Sequence, residues 1–281
     1  MIDLHIHSSH SDGDYEVNEL ISKIHSAGIT VFSITDHDEF RACVEILNNN
    51  LVPQGMKFVT GIEFSTIHNN KKMHILGYGF DIKNKQFVQR VARLREMRKE
   101  RVSKLLVFLK QEFGIVIEDK EINNILKVRP CIGKPHIAHI LIQKGLVSSV
   151  KEAFDKYLKK FSMSEMKIKA VEAIQIIKQA KGFAFVAHPK EIMYDYNLTY
   201  SQIDSIIREL AAKGLDGIEA YYNTHTEKDI KEFLQIADKY NLLVSCGSDF
   251  HGEKTKPNIK LSSVGKEGLT EKEVTLINKL K

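Results

Sequence analysis

The sequence predicts an α/β protein, a distorted barrel of seven strands interrupted by an all-helical insertion. Three observations lead there. Short β-rich runs alternate with helical stretches, the pattern of parallel strands covered on their outer face. Residues 83–167 break that alternation and carry no strand signal. Histidines and carboxylates stand at strand ends from one terminus almost to the other.

The first strand is expected over residues 2–7, followed by a helix over 16–27 with Gly28 just past its end, where a left-handed cap favours glycine. Further strands are read at 30–35, 57–64 and 73–80, then at 182–187, 216–220 and 243–246. Each of the last three follows a helical segment, so the strands are expected to run parallel. A long amphipathic helix is predicted over 87–113, with Val91, Leu94, Val102, Leu105, Val107 and Leu109 among its apolar positions. Shorter helices are read at 118–126, 135–143 and 150–158. Residues 1–82 and 168–281 would then form the barrel, and 83–167 a helical lid over one rim.

Composition fits a soluble enzyme of 281 residues, 43% hydrophobic and without tryptophan. No window approaches 18 uninterrupted apolar residues, so no membrane span is expected. The first residues lack a basic stretch followed by an apolar one, so no secretory leader is expected either. Cys43, Cys131 and Cys246 are scattered and form no C-x-x-C pair, which points to a reducing cytoplasm and no thiolate metal site. Residues 83–167 hold 20 Lys/Arg against 9 Asp/Glu, a net of +11, leaving the remainder at −6 in a chain of +5. A basic lid over an acidic barrel suits an anionic, phosphate-bearing substrate. Any single charge on 87–113 reads more simply as a solvated helix face, because Glu96 and Glu100 interleave with Arg93, Lys99, Arg101 and Lys104.

The chemistry-bearing motifs are His5-Ile6-His7 with Asp12, Asp36-His37-Asp38, Glu63, His74, His188-Pro189, and Asp249-Phe250-His251. A His-x-His pair on a strand places both rings on one face. Imidazole and carboxylate are ligands for Zn, Mn or Fe. A lone histidine is more often structural, but six in register with three acids point to a metal cluster. Nearly all stand at the C-terminal ends of predicted strands, the rim that carries active sites in β/α barrels. His74 is the exception, near the start of its run.

The motifs Asp3-Leu4-His5-Ile6-His7-Ser8, Thr35-Asp36-His37-Asp38, Gly61-Ile62-Glu63, Ala187-His188-Pro189 and Ser248-Asp249-Phe250-His251 resemble those of the PHP (polymerase and histidinol phosphatase) superfamily of metal-dependent phosphoesterases. The resemblance implies a distorted (β/α)7 barrel and a centre of three divalent metals: Mn, Fe or Zn, with Mg also admissible. It implies a first site of His5, His7, Glu63 and Asp249. The second would share Glu63 and add His74 and His188; the third would use Asp12, His37 and His251. A hydroxide bridging two metals would then attack phosphorus.

Around this set, Asp36 is expected to orient an imidazole. Asp38 would do likewise or act as general acid, and His225 would reach the rim from its loop. Ser8, Ser9 and Ser65 form no Ser-His-Asp arrangement, and His10, His25, His68 and His139 read as ordinary loop or surface residues.

In the insertion, residues 129–138 combine Arg129, Lys134 and His136 with Pro135 at a helix start. This is either a phosphate-binding helix N-terminus or an ordinary Pro-started helix. The segment resembles the Gly-Arg-Pro-His element of a PHP subgroup of 3′,5′-bisphosphonucleotide phosphatases and 5′→3′ exonucleases on short RNA, with Lys134 where Arg is expected. The resemblance therefore implies a nucleotide or short 5′-phosphorylated oligonucleotide as substrate, AMP among them, and no obligate protein partner is evident. Two other readings stand beside it: a histidinol-phosphate phosphatase, and a non-catalytic, metal-stabilised nucleic-acid-binding module.

Overall fold

A computed structural model describes residues 1–129, 131–162, 166–261 and 269–280. Pro130 of the segment at 129–138 lies outside the described residues. The first three strands, β1 (Ile2–Ile6), β2 (Val31–Ile34) and β3 (Lys57–His68), pair in parallel. Helices α1 (Val17–Ser26) and α2 (Arg41–Asn48) make the crossovers. β4 (Lys71–Tyr78) follows, and a short β5 (Ile168–Lys169) lies beside β3. β6 (Phe183–Val186), β7 (Gly217–Tyr222) and β8 (Leu243–Gly247) complete the sheet in the order β1-β2-β3-β4-β6-β7-β8. Its edges meet beyond β8: the Asp249 N–H donates to the His5 carbonyl at 2.7 Å, and His7 N–H donates to the Phe250 carbonyl at 2.9 Å. The result is a nearly closed, distorted barrel of seven main strands.

The expectation of parallel strands fails at β4, which runs antiparallel to both β3 and β6. The cause is the connection. No helix separates β3 from β4; they join through Asn69-Asn70, both at positive φ (47° and 60°), the conformation of a tight two-residue hairpin. The reversal also explains why His74 falls near the start of its strand. In an antiparallel strand the start lies at the rim where the parallel strands end.

One face of the sheet is divided by depth. Along β3, Val59 and Glu63 share a face, as do His74, Leu76 and Tyr78 along β4. Val59, Leu76, Tyr78 and Phe185 form an apolar floor, continued by Val274, Leu276 and Ile277 of the C-terminal segment. The polar residues sit above it. On the opposite face, Ile62, Phe64, Val186 and Ile218 pack against α7 (Ala170–Gln179), α9 (Tyr200–Ala211) and α10 (Glu227–Lys239). α8 (Pro189–Tyr196) begins directly after His188.

The insertion is built on α3 (Lys85–Phe113), started by the Asn84 side chain accepting from the Phe87 N–H and ended by Gly114 at φ 67°. At 1.5 Å per residue it is about 44 Å long. Its first half puts Phe87, Val91 and Leu94 into the barrel's outer core, and its second half puts Val102, Leu105 and Leu109 into a separate cluster. That second cluster contains Ile137 and Leu141 of α5 (Lys134–Gln143), with α4 (Asp119–Val128) and α6 (Val150–Lys156) around it. Val107, placed on the apolar face from the sequence, is 54% exposed.

Gly217 is required by packing. A Cβ there would overlap the Phe185 ring, which is fully buried and held edge-on against Tyr78 with centroids 5.4 Å apart. Gly217→Ala should therefore destabilise the fold by about 1–3 kcal/mol in a denaturant titration. A change below about 0.5 kcal/mol, the level of a neutral surface substitution, would show that the ring has room to move.

Candidate metal centre

Glu63 is the middle of the centre. It points from β3 into the barrel mouth and is 1% exposed. Its Oε2 faces His37 Nδ1 at 3.0 Å, His7 Nε2 at 3.2 Å and His5 Nε2 at 3.3 Å. Its Oε1 faces His74 Nδ1 at 2.8 Å and His188 Nε2 at 3.1 Å. Asp249 Oδ1 lies 3.2 Å from His7 Nε2 and 3.5 Å from His5 Nε2. Asp12 completes the far side, with Oδ1 3.4 Å from His251 Nε2 and Oδ2 3.8 Å from His37 Nε2. The nine residues singled out in the sequence as ligands are thus brought into one cluster. Three subsets have donor atoms within 4.8 Å of one another: His5, His7, Glu63 and Asp249; His7, Asp12, His37 and His251; and His37, Glu63 and His74.

The donor set fits divalent cations. Buried His5 Nε2, His7 Nε2, His37 Nδ1, Asp12 Oδ1 and Glu63 Oε2 have no hydrogen-bond partner, although each faces the cluster. Unsatisfied buried polar atoms are rare and need a reason; a metal among them supplies one. Protonation compensates only in part. Burial opposes the Glu63 charge, but His74, His37 and His5 outweigh it and hold the carboxyl well below its usual range. Burial lowers His7 and His188, yet the carboxylates against them carry both up to about 9. Burial pushes His37 down to about 4 in spite of Glu63 and Asp12. Crowded imidazoles cannot all hold protons, and a metal binds the neutral ring.

The backbone bends to aim these groups. His188 and Asp249 take positive φ values of 27° and 57°, uncommon for residues with a side chain. Gly13 is needed because a Cβ there would overlap the His7 carbonyl.

Groups behind the clustered residues hold them in place. Glu219 is fully buried; Oε1 meets His5 Nδ1 at 2.9 Å and Oε2 accepts the His188 N–H at 2.8 Å. Tyr222 donates to Asp249 Oδ2 at 2.9 Å, and the Lys256 ammonium does so at 2.5 Å. Sequence reasoning missed all three. Glu219 had a signal, a charge within the apolar run Gly217-Ile218-Glu219-Ala220; Tyr222 and Lys256 had none.

The predicted supporting residues fall differently. Asp36 accepts from Ser8 N–H at 2.8 Å, Ser8 Oγ at 2.6 Å and Ser11 Oγ at 2.5 Å, so it ties down the loop after β1 and touches no ligand ring. β2 ends at Ile34 and Asp38 has φ 50°, so strand alternation does not reach Asp38. It accepts from Arg98 Nε at 2.6 Å and from Ser65 N–H at 2.9 Å. Burial raises this carboxyl, but Arg98 and Arg101 bring it below its ordinary value, which suits an anchor for Arg98 rather than a proton donor. His225 packs between Tyr222 and Phe233, its Nδ1 2.8 Å from the Ala220 carbonyl, and is outside the cluster.

Arg129 donates to the Gly13 carbonyl at 2.6 Å. His136 accepts the Gly133 N–H on Nδ1 at 3.0 Å, and burial pushes it down to about 4, so the ring is neutral. Lys134 donates to the carbonyls of Leu158 and Phe161, each at 2.6 Å. The start of α5 does not gather these groups at one point: Arg129 and His136 line a cleft beside Asp12, and Lys134 lines a different cavity.

Glu219 orients the His5 ring from behind, so Glu219→Gln should weaken divalent-metal binding roughly 10–100-fold while the fold survives. Metal titration of the chelator-treated protein measures this. Unchanged affinity would leave Glu219 a packing residue.

The chain is similar to known proteins. The chain is 29% identical over 260 residues to a 3′,5′-nucleoside bisphosphate phosphatase from Chromobacterium violaceum, covering 89% of this chain and 87% of that protein. It is 28% identical over 257 residues to a 5′-3′ exoribonuclease from Haemophilus influenzae, covering 89% of each. The crystal structure of a candidate metal-dependent phosphoesterase from Bifidobacterium adolescentis superposes with a TM-score of 0.80 at 26% identity, covering 98% of this chain and 94% of that one. The PHP domain family matches residues 3–172, more than half the chain. With its strand-end histidines gathered on one buried glutamate in a distorted barrel, the chain belongs to the PHP domain family.

Proposed function

We propose that this protein is a metal-dependent phosphoesterase of nucleotides, acting on 3′,5′-bisphosphonucleotides or short 5′-phosphorylated oligonucleotides. The observation that carries the reading is Glu63, both of whose oxygens face separate groups of imidazoles, the geometry of a carboxylate that bridges metals. The similarity to a bisphosphate phosphatase and an exoribonuclease supports the substrate class.

The residues would hold three divalent ions, of Mn, Fe, Zn or Mg. His5, His7, Glu63 and Asp249 would hold one, Glu63, His74 and His188 the second, and Asp12, His37 and His251 the third. Such ions supply Lewis-acid activation of water near neutral pH and offset charge that builds on a phosphoryl group. The chain supplies the rest. The apolar floor and the buried ligands keep bulk water from beneath the reacting group, which strengthens each charge interaction there. Lys256 and Tyr222 fix the Asp249 carboxylate, and Glu219 fixes the His5 ring. Arg129, beside Asp12 in its cleft, is placed to meet a substrate anion. Among the described residues no helix is long and apolar enough to cross a membrane. The three cysteines are free and buried, which supports a reducing compartment such as the cytoplasm.

The test is phosphate release from adenosine 3′,5′-bisphosphate, AMP, a 5′-phosphorylated RNA trimer and histidinol phosphate, with Mn present. The bisphosphate or the trimer should be preferred, a chelator should abolish turnover, and His188→Ala and Asp249→Ala should each lose it with a metal. Preference for histidinol phosphate would keep the metal chemistry and reject the nucleotide; no hydrolysis of any ester would reject the function.

A further inference from the structure

Of the chain's 14 phenylalanines and 9 tyrosines, Tyr194 on α8 alone stands open to solvent, 85% exposed. Its ring packs on no other ring, and its hydroxyl makes no hydrogen bond among the described residues. An aromatic side chain is a large apolar body that gains most when a flat group covers it. A single exposed apolar residue needs no explanation in itself. The position of this one does.

Helix α8 lies along the rim of the metal centre. It starts directly after His188, at the end of β6. Its other end is tied to the start of β4, where the Lys72 N–H donates to the Tyr196 hydroxyl at 2.7 Å, two residues before His74. The helix therefore spans the two strands that carry His188 and His74. It is held rigidly. Ile192 and Met193 are buried in the barrel's outer core, and Asn197, at φ 50°, donates its N–H to the Met193 and Tyr194 carbonyls. Glu191 stands one turn before Tyr194 and so on the same side of the helix. It reaches back to the centre, with Oε2 3.2 Å from His188 Nδ1. Tyr194 lies six residues beyond His188, a rise of about 9 Å along the helix.

The insertion brings a cation to the same place. Lys151, exposed on α6, is near enough for the Tyr194 hydroxyl to act on its ammonium. Lys151 gives one hydrogen bond, at 2.7 Å, to Asp155, which leaves two of its three donors for an anion. A nucleic acid strand offers what these two groups take. Every base has a flat face, every linkage is a phosphate, and stacked neighbours follow at about 3.4 Å. The 9 Å between His188 and Tyr194 is then the rise of two or three nucleotides.

We propose that Tyr194 stacks an unpaired base of a short RNA strand, two or three nucleotides from the phosphate at the metal centre, and so favours oligonucleotides over mononucleotides. The inference rests on the phosphoesterase reading and chooses between the two kinds of substrate named there. Stacking reads the face of a base and not its edge, so the preference is for a strand and not for a sequence.

The test compares Tyr194→Ala with Tyr194→Phe, which keeps the ring. With Mn present, the ratio of kcat/KM for a 5′-phosphorylated RNA trimer to that for AMP should fall roughly tenfold in Tyr194→Ala, through KM, and hold its wild-type value in Tyr194→Phe. The loss should vanish on a trimer whose second and third nucleotides lack their bases. An unchanged ratio, or an equal loss on the trimer without bases, overturns the proposal. A second arm reads the contact without turnover. A phosphorothioate-linked trimer carrying 2-aminopurine should lose fluorescence when titrated with the wild-type or Tyr194→Phe protein and keep it with Tyr194→Ala. Equal quenching by all three proteins, or by none, overturns the proposal. Quenching that follows the ring while no ester is hydrolysed upholds the stacking and rejects the phosphoesterase reading alone.

Discussion

A buried carboxylate ringed by five imidazoles is the constraint from which the rest of this structure follows. Glu63 lies on top of an apolar floor with histidine nitrogens 2.8–3.3 Å from its two oxygens. A charge in such a place is costly unless it is compensated. The compensation comes from side chains on four strands, β1, β2, β4 and β6, or the turns just beyond them, so the barrel must assemble before the site exists. The backbone hydrogen bonds joining the segment after β8 to β1 bring Asp249 and His251 to His5 and His7. The reversed β4 brings His74 to the same rim. Glu219 holds His5 from behind, and Tyr222 and Lys256 hold Asp249.

The clustered residues could be read from the sequence because strand ends expose short polar motifs against apolar runs. What escaped were features that pattern alone does not encode. Alternation of apolar residues marks a strand and says nothing of its direction; the only local clue to the reversed β4 was Asn69-Asn70, a dipeptide suited to positive φ. Asp36 and Asp38 were given their roles because they flank His37 at a strand end, but β2 stops at Ile34 and the chain turns away there. Glu219 was hidden within a good strand, where its charge should have been the signal. Lys256 approaches Asp249 from a loop with no periodicity at all.

The insertion shows how a general electrostatic argument and a local one can both hold. Lys99 pairs with Glu96 and Lys104 with Glu100 on the exposed side of α3, as solvated helix charges do. On its inner side, Arg95 reaches Glu39 and Arg98 reaches Asp38, so the same helix links its basic charge to the barrel mouth. Only the turn of the helix relative to the barrel separates the two sets, and helix 3.6-periodicity in charged residues is too weak to show it. The start of α5, which the sequence left as either an anion site or an ordinary Pro-started helix, splits its polar groups between two spaces because Lys134 and His136 leave the helix in different directions.

The most direct test of the central claim is anomalous diffraction from crystals of metal-replete protein, collected at the absorption edge of the bound element. Peaks on both sides of the Glu63 carboxylate, one near His5 and His7 and another near His74 and His188, are the predicted result. An active crystal with no peak beside Glu63 would contradict the account.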